Sequence, residues 1–130
     1  NDAEVFGRII QQGFGAPLPF QLPASRLVGR PNWQCLLAYV GEEAVGGTAN
    51  FIYGDLAWGG ICATLPHARG QGVQNALIHA QCVAAIKAGC ARMTAEVEVP
   101  PPGEKNSSMN NTLRLGPGAY QRDNWVLEAH

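Results

Sequence analysis

The residues best placed to do chemistry are Arg69-Gly70-Gln71-Gly72. They follow a short apolar, β-type run at 61–65 that stops at Pro66, and they precede a helical pattern that begins near Gly72. Strand, glycine turn and helix start, in that order, make an anion site. The first N–H groups of a helix have no partner inside it, and the aligned peptide dipoles leave about half a positive charge there. Glycine lets the backbone close on a phosphate with no Cβ in the way. Arg69 adds a planar fork of donors matched to phosphate oxygens. His67, two residues earlier, is a further candidate for contact with the same phosphates. Two glycines before a helix also serve as an ordinary turn. The motif is neither a GxxxxGK[ST] loop nor a GxGxxG fingerprint, because no lysine follows Gly72 and the third glycine is missing.

Several elements must hold this loop. Residues 2–12 read as a helix: Asp2 can cap it, Glu4 lies in its first turn, and Val5, Phe6, Ile9 and Ile10 recur at helical spacing. Residues 15–32 contain Pro17, Pro19, Pro23 and Pro31 and read as an extended loop. Three strands follow, at 33–40, 45–53 and 56–65, joined by turns at Gly41-Glu42-Glu43 and Gly54-Asp55. Short turns make them an antiparallel meander. Gly46-Gly47 and Gly59-Gly60 mark bulges or close contacts within it.

Residues 73–88 give the strongest helical pattern, with Val73, Ala76, Leu77, Ala80, Val83 and Ala84 on one stripe, Lys87 in the last turn and Gly89 just past the end. Such a helix is about 24 Å long, enough to cross a sheet. Residues 90–99 return as a strand, with Met93, Ala95, Val97 and Val99 on one face and Thr94, Glu96 and Glu98 on the other. Strand, helix, strand makes the flanking strands parallel neighbours. After the break at Pro100-Pro101-Pro102-Gly103, a short helix at 107–115 and a last strand or hairpin at 119–127 complete the reading. The fold class is therefore α/β (α+β), one domain over 1–130.

Composition narrows the partners. The 130 residues are 46% hydrophobic and 15% charged with a net charge of −1, which suits one globular core. Lys and Arg form no run, which argues against nucleic acid and anionic membrane surfaces. No apolar stretch approaches the roughly 18 residues of a membrane span. Cys35, Cys62, Cys82 and Cys90 form no CxxC pair and sit in apolar contexts, the pattern of buried, reduced thiols in a cytoplasmic protein. That spacing, with only three histidines, also argues against a metal site.

Arg69-Gly70-Gln71-Gly72-Val73-Gln74 resembles the R/Q-x-x-G-x-G/A acyl-CoA pyrophosphate loop of the GNAT superfamily of N-acetyltransferases. With Thr64-Leu65-Pro66 ahead of it, it is similar to a bacterial subgroup of that family. Gln74 stands where Gly or Ala is commoner. A second stretch, Asn106-Ser107-Ser108 through Asn111, Arg114 and Gly116, looks like the family segment in which Asn and a small residue open a short helix ending at R-x-G-F. Pro117 replaces the usual Phe, and Thr112 stands where many members carry a tyrosine general acid. The family's first strand is absent or lies upstream of residue 1. The likeness covers about residues 33–126.

The resemblance implies a GNAT-like mixed sheet whose two parallel strands splay apart. A pantetheine arm would enter that gap and pair with the backbone of Ala63, Thr64 and Leu65. The pyrophosphate would rest on Arg69, Gly70, Gln71, Gly72, Val73 and Gln74; the Asn106 side chain would hydrogen-bond the pantetheine arm, and Ser108 and Asn111 would also bind the cofactor. Unpaired N–H groups near Gly59-Gly60 would hold the thioester oxygen as charge develops on it. The co-substrate would be acetyl-CoA or another acyl-CoA, and the acceptor an amine. A lysine-like amine is neutral in only about one molecule in 2,500 at pH 7, a deficit of about 4.6 kcal/mol that a base or a desolvated cleft must supply. Glu96 and Glu98 are the candidate bases and Tyr120 the candidate acid. The loop 15–32 would border the acceptor cleft. A non-catalytic acyl-CoA-binding module, or one half of a larger two-domain acyltransferase, would carry the same motifs. Assembly as a homodimer is left open by the sequence.

Overall fold

A computed structural model describes residues 1–95 and Gly103. The chain divides into two compact units, Asn1–Glu96 and Val97–His130. All the elements below belong to the first; of the second, only Gly103 is described, in a turn with φ of 86°. The expected helix at 107–115 and strand or hairpin at 119–127 lie outside the described residues.

Helix α1 spans Asp2–Gly13. Its cap is Asn1, not Asp2: the Asn1 side chain accepts a hydrogen bond from the Glu4 N–H at 2.9 Å. Asp2 instead joins Glu4 in the first turn, where negative charge suits the helix dipole. The proline-bearing stretch is not an extended loop. It holds a 3-10 turn, Leu18–Phe20, and a short helix α2, Gln21–Ser25. Its prolines fit because Pro19 and Pro23 fall in first turns, where the missing N–H has no intrahelical partner to lose. A Cβ on Gly7 would lie 2.8 Å from the Ser25 Cβ, so α1 and α2 pack backbone to backbone.

The sheet has the order β1-β2-β3-β4, formed by Trp33–Val40, Glu43–Tyr53, Leu56–Thr64 and Arg92–Thr94. The first three strands make the expected antiparallel meander, and β4 pairs parallel to β3. Helix α3, Val73–Lys87, makes the crossover. The fold is mixed α+β, with α1 and α2 on one sheet face and α3 on the other. Phe6, Ile10 and Ala24 meet Ala49 and Ala63 on the first face, and Val73 and Leu77 meet Val45 on the second.

Two bulges set which side chain faces which helix. Ala38 pairs with Gly46 but Tyr39 pairs with Ala44, so Val45 is the extra residue. Val45 and Gly46 therefore both face α3, and a Cβ on Gly46 would lie 2.9 Å from Leu77 and Val73. On the other face the Phe6 ring covers Gly47. At the second bulge Ala49 pairs with Ile61 and Phe51 with Trp58, leaving Asn50 opposite Gly59 and Gly60. Both glycine pairs thus mark bulges, as their place in the strand patterns predicts.

The buried face of α3 is rotated from the expected stripe. Val73, Leu77, Ile78, Gln81 and Ala85 are buried, whereas Ala76 is exposed. Gln81 sits at the centre because it donates to the carbonyls of Ala49 (3.3 Å) and Ile61 (3.5 Å) at the second bulge. Asn50, fully buried, donates to Gln81 O at 3.0 Å and to Gln34 Oε1 at 3.1 Å. The Asn50 amide nitrogen is thus satisfied twice, whereas its Oδ1 is buried without a partner, a local cost within the network.

The four cysteines are free, and each is half-buried rather than buried. Burial pushes the Cys62 thiol from 9.0 up to about 11, against an opposing hydrogen bond with Thr48. A raised thiol pKa means that the folded chain holds the proton more tightly. This contribution to stability is complete below pH 9.0 and is lost as pH rises toward 11. The gap between 9.0 and about 11 lowers the thiolate fraction about 100-fold at pH 8. Iodoacetamide at pH 8, followed by peptide mass analysis, is expected to label Cys62 about 100-fold more slowly in the native protein than in urea.

Candidate functional site

The loop that joins β3 to α3 has the geometry its glycines predict. A 3-10 turn, Pro66–Ala68, leads to Arg69 in an extended conformation. Gly70 then takes φ of 78° and Gly72 φ of 80°, the left-handed region that costs an L side chain about 1–2 kcal/mol. A Cβ at either position would meet nothing within 4 Å. The glycines therefore do not serve packing: they supply the turn and leave open space above it.

Helix α3 starts on this turn with Gly72 as its N-cap and no side-chain cap bond. Its first turn carries no acidic residue. The first hydrogen bond into the helix is Ala76 N–H to Gly72 O at 3.0 Å. The amides before it belong to the helix's positive end. Val73 is buried beside Gly46 and anchors the helix start, while Gly70, Gln71 and Gly72 are exposed. The Gln71 side chain donates back to His67 O at 3.4 Å.

Arg69 is directed differently from expectation. Its Nη2 donates to Gly13 O at 2.8 Å and its Nε to Thr64 O at 3.3 Å. Gly13 is the last residue of α1, a helix with no basic residue in its own last turn. Arg69 supplies a cation there and ties the loop to α1 and to the end of β3. His67 is likewise turned aside, with its Nε2 3.0 Å from Glu43 Oε1. Both side chains are thus engaged with protein groups, and neither is left over the exposed glycines.

The strand end is also selective. The Leu65 N–H is taken by Val45 O at 2.8 Å, so Leu65 faces β2. By strand alternation Ala63 faces β2 as well, and the backbone of Thr64 faces the other way. Of Ala63, Thr64 and Leu65, only Thr64 thus turns its backbone away from β2, and its carbonyl on that side accepts from Arg69 Nε. Its Oγ1 is buried without a hydrogen-bond partner. Among the described residues the β3–β4 pairing ends at Trp58 and Thr94, while β3 runs on to Thr64. Met93 is half-buried between exposed Arg92 and Thr94, as alternation predicts, but Ala95 is exposed rather than on the Met93 side.

A cavity of about 410 Å³ opens beside α1. Its walls include Ile10 of α1, Phe14 just past the end of that helix, Phe20 of the 3-10 turn, and Trp33, Trp58 and Ile61 of the sheet. Gly60 shapes it: a Cβ there would overlap the Trp58 ring, which lies folded over the bulge. Trp33 packs against Phe51 at 5.1 Å and edge-on to Trp58 at 6.2 Å, giving an aromatic row across three strands. Loop and cavity share α1, since a Cβ on Gly13 would lie 2.7 Å from the Ala63 Cβ. Sequence reading placed the acceptor border in 15–32 but missed Trp33 and Trp58, whose alternation shows only that they lie on a strand. Glu96, Glu98, Asn106, Ser108, Asn111 and Tyr120 lie outside the described residues.

No protein-family model matches the chain, and no curated protein matches it. Solved structures do. A ribosomal-protein-alanine N-acetyltransferase from Brucella melitensis biovar Abortus 2308 superposes with a TM-score of 0.74 at 17% identity, covering 98% of this chain and 94% of that one. An aminoglycoside N-acetyltransferase, AAC(6')-Iy, in complex with CoA, gives 0.73 at 17% identity, covering 97% and 88%. The chain has the fold of the GNAT N-acetyltransferases. A transcriptional regulator from Bacillus halodurans C-125 shares that fold, with a TM-score of 0.67 at 18% identity over 99% and 93% of the two chains. The fold is thus shared by chains with different roles, and by itself it does not assign a chemistry. No helix among the described residues is long and apolar enough to cross a membrane.

Proposed function

We propose that the protein is an acyl-CoA-dependent N-acyltransferase, most simply an acetyltransferase, acting on a primary amine of a small molecule or peptide. One observation carries the reading: two left-handed glycines with open space above them begin a helix with no side-chain cap, one 3-10 turn after the end of a strand. Such a helix start takes an anion through its backbone amides. A GNAT-fold neighbour solved with CoA supports a pyrophosphate as that anion.

The residues suit this co-substrate in distinct ways. Gly70, Gln71, Gly72, Val73 and Gln74 would receive the pyrophosphate on the loop and first helical turn. Thr64, through its outward N–H, would pair with the pantetheine arm, and Asn106, Ser108 and Asn111 would be further contacts to the cofactor. Arg69 keeps the loop in register with α1. In the transfer, the amine nitrogen forms the new C–N bond as the thioester C–S bond breaks, and the proton given up by nitrogen ends on the departing sulfur. Glu96 or Glu98 would take that proton first, and Tyr120 would return one to sulfur.

Calorimetry with acetyl-CoA, paired with a thiol-release assay over an amine panel, tests the reading. Saturable binding and amine-dependent thiol release are expected. The double variant Arg69→Ala with Gly72→Glu is expected to lose both. Binding without release for any amine favours a second reading, an acyl-CoA-holding module, which the shared fold of a transcriptional regulator makes worth separating. No binding at all would remove both readings.

A further inference from the structure

The cavity beside α1 differs from a site made for a highly charged amine. Among the described residues, no Asp, Glu, Lys, Arg or His lines it. Its one amide side chain, Gln11, is committed to Ala16 O at 2.6 Å. What remains is aromatic and aliphatic surface, with Phe14 and Phe20 more than half exposed at the rim and Trp33 and Trp58 on the floor. About 410 Å³ suits a small molecule rather than a folded partner.

We infer that this cavity binds a primary monoamine with an aromatic body, and that this is the acceptor class of the transfer proposed above, on which the second half of the inference rests. Three physical arguments select this class. An aromatic ring gains edge and face contacts with Trp33, Trp58 and Phe20 that a hydroxylated sugar ring cannot match. A polycation would bring several ammonium groups into a wall that offers no carboxylate, and each would lose water without a partner. A single amine loses less, and desolvation lowers its pKa toward the neutral, nucleophilic form. The cavity thereby supplies part of the deprotonation that attack on a thioester requires.

The position is consistent with that use. Trp58 and Ile61 bracket the Gly59-Gly60 bulge on β3. The same strand ends at Thr64, where the pantetheine arm is placed. α1 contributes Ile10 to the cavity and its C-cap residue Phe14 adds to the wall, while Gly13 touches Ala63.

The test uses the full chain and three probes: tryptamine, the linear polyamine spermidine, and glucosamine. Binding is measured by calorimetry with CoA present, and thiol release is measured separately with acetyl-CoA. Tryptamine is expected to bind at least about tenfold more tightly than either other probe, and Phe20→Ala to weaken it about tenfold. Phe20 is 59% exposed, so this variant tests the rim without disturbing the core. Trp33→Leu probes the floor in the same assay. Equal or tighter binding of spermidine or glucosamine, or tryptamine binding indifferent to both substitutions, overturns the inference. Tryptamine bound as expected with no thiol release upholds the cavity's ligand class and removes the transfer reading. Release with spermidine alone does the reverse.

Discussion

Gly72→Glu is expected to weaken acetyl-CoA binding by at least about 100-fold, read as a shift in Kd by calorimetry. Three effects add. The residue sits at φ 80°, where a side chain costs about 1–2 kcal/mol and twists the helix start away from its anion-ready form. The new side chain would occupy the open space above the loop, where nothing now lies within 4 Å of a Cβ. Its carboxylate would repel a pyrophosphate at the point where the helix dipole should attract it. Gly72→Ala separates these effects, because it keeps the strain and adds neither bulk nor charge. It is expected to weaken binding tenfold or less. If Gly72→Glu binds acetyl-CoA like the parent, the loop is an ordinary turn and the transferase reading loses its basis. Arg69→Ala alone is expected to act mainly through stability, since the guanidinium is engaged with Gly13 and Thr64.

Phe6→Ala is expected to destabilise the protein by about 3–5 kcal/mol, measured as a lower urea midpoint at unchanged slope. Phe6 is 1% exposed and lies at the centre of the α1 face, against Ile10, Ala24, Ala49 and Ala63. Its ring also covers Gly47, with Cε2 3.3 Å from where a Cβ would stand. Small residues on the sheet surround it, so the neighbours have little side chain with which to refill the space. A loss of that size is a large share of the roughly 5–15 kcal/mol that holds a typical domain together. The consequence reaches the site, because α1 carries Gly13 against Ala63 and forms one wall of the aromatic cavity. Tyr53→Ala, at a residue 76% exposed, is the matched control and is expected to change stability by less than about 0.5 kcal/mol. A Phe6→Ala loss no larger than that of Tyr53→Ala would mean that α1 is not anchored as described.

Local rules reached far into this chain. Turn residues and alternation are short-range properties, so the meander, the irregularities at the two glycine pairs, α3 and the tight glycine turn before it are all legible in the sequence. Prolines misled at 17–23 because a breaker in a strand or helix interior is acceptable in a first turn, and only the placement of the turn distinguishes the cases. The face of α3 was misjudged for another reason. Gln81 is polar by composition and buried by circumstance, and its partners, Ala49 and Ile61, lie 32 and 20 residues away. Arg69 shows the same limit, since the Gly13 carbonyl it meets is 56 residues distant.

Local pattern sufficed for the backbone of the loop between β3 and α3 and for the order of the elements around it, because φ-permissive glycines and hydrophobic period act within a few residues. It took the tertiary fold to turn Arg69 onto the Gly13 carbonyl and to line one apolar cavity with two tryptophans from separate strands. Those outcomes depend on contacts between segments distant in sequence, which local pattern does not encode.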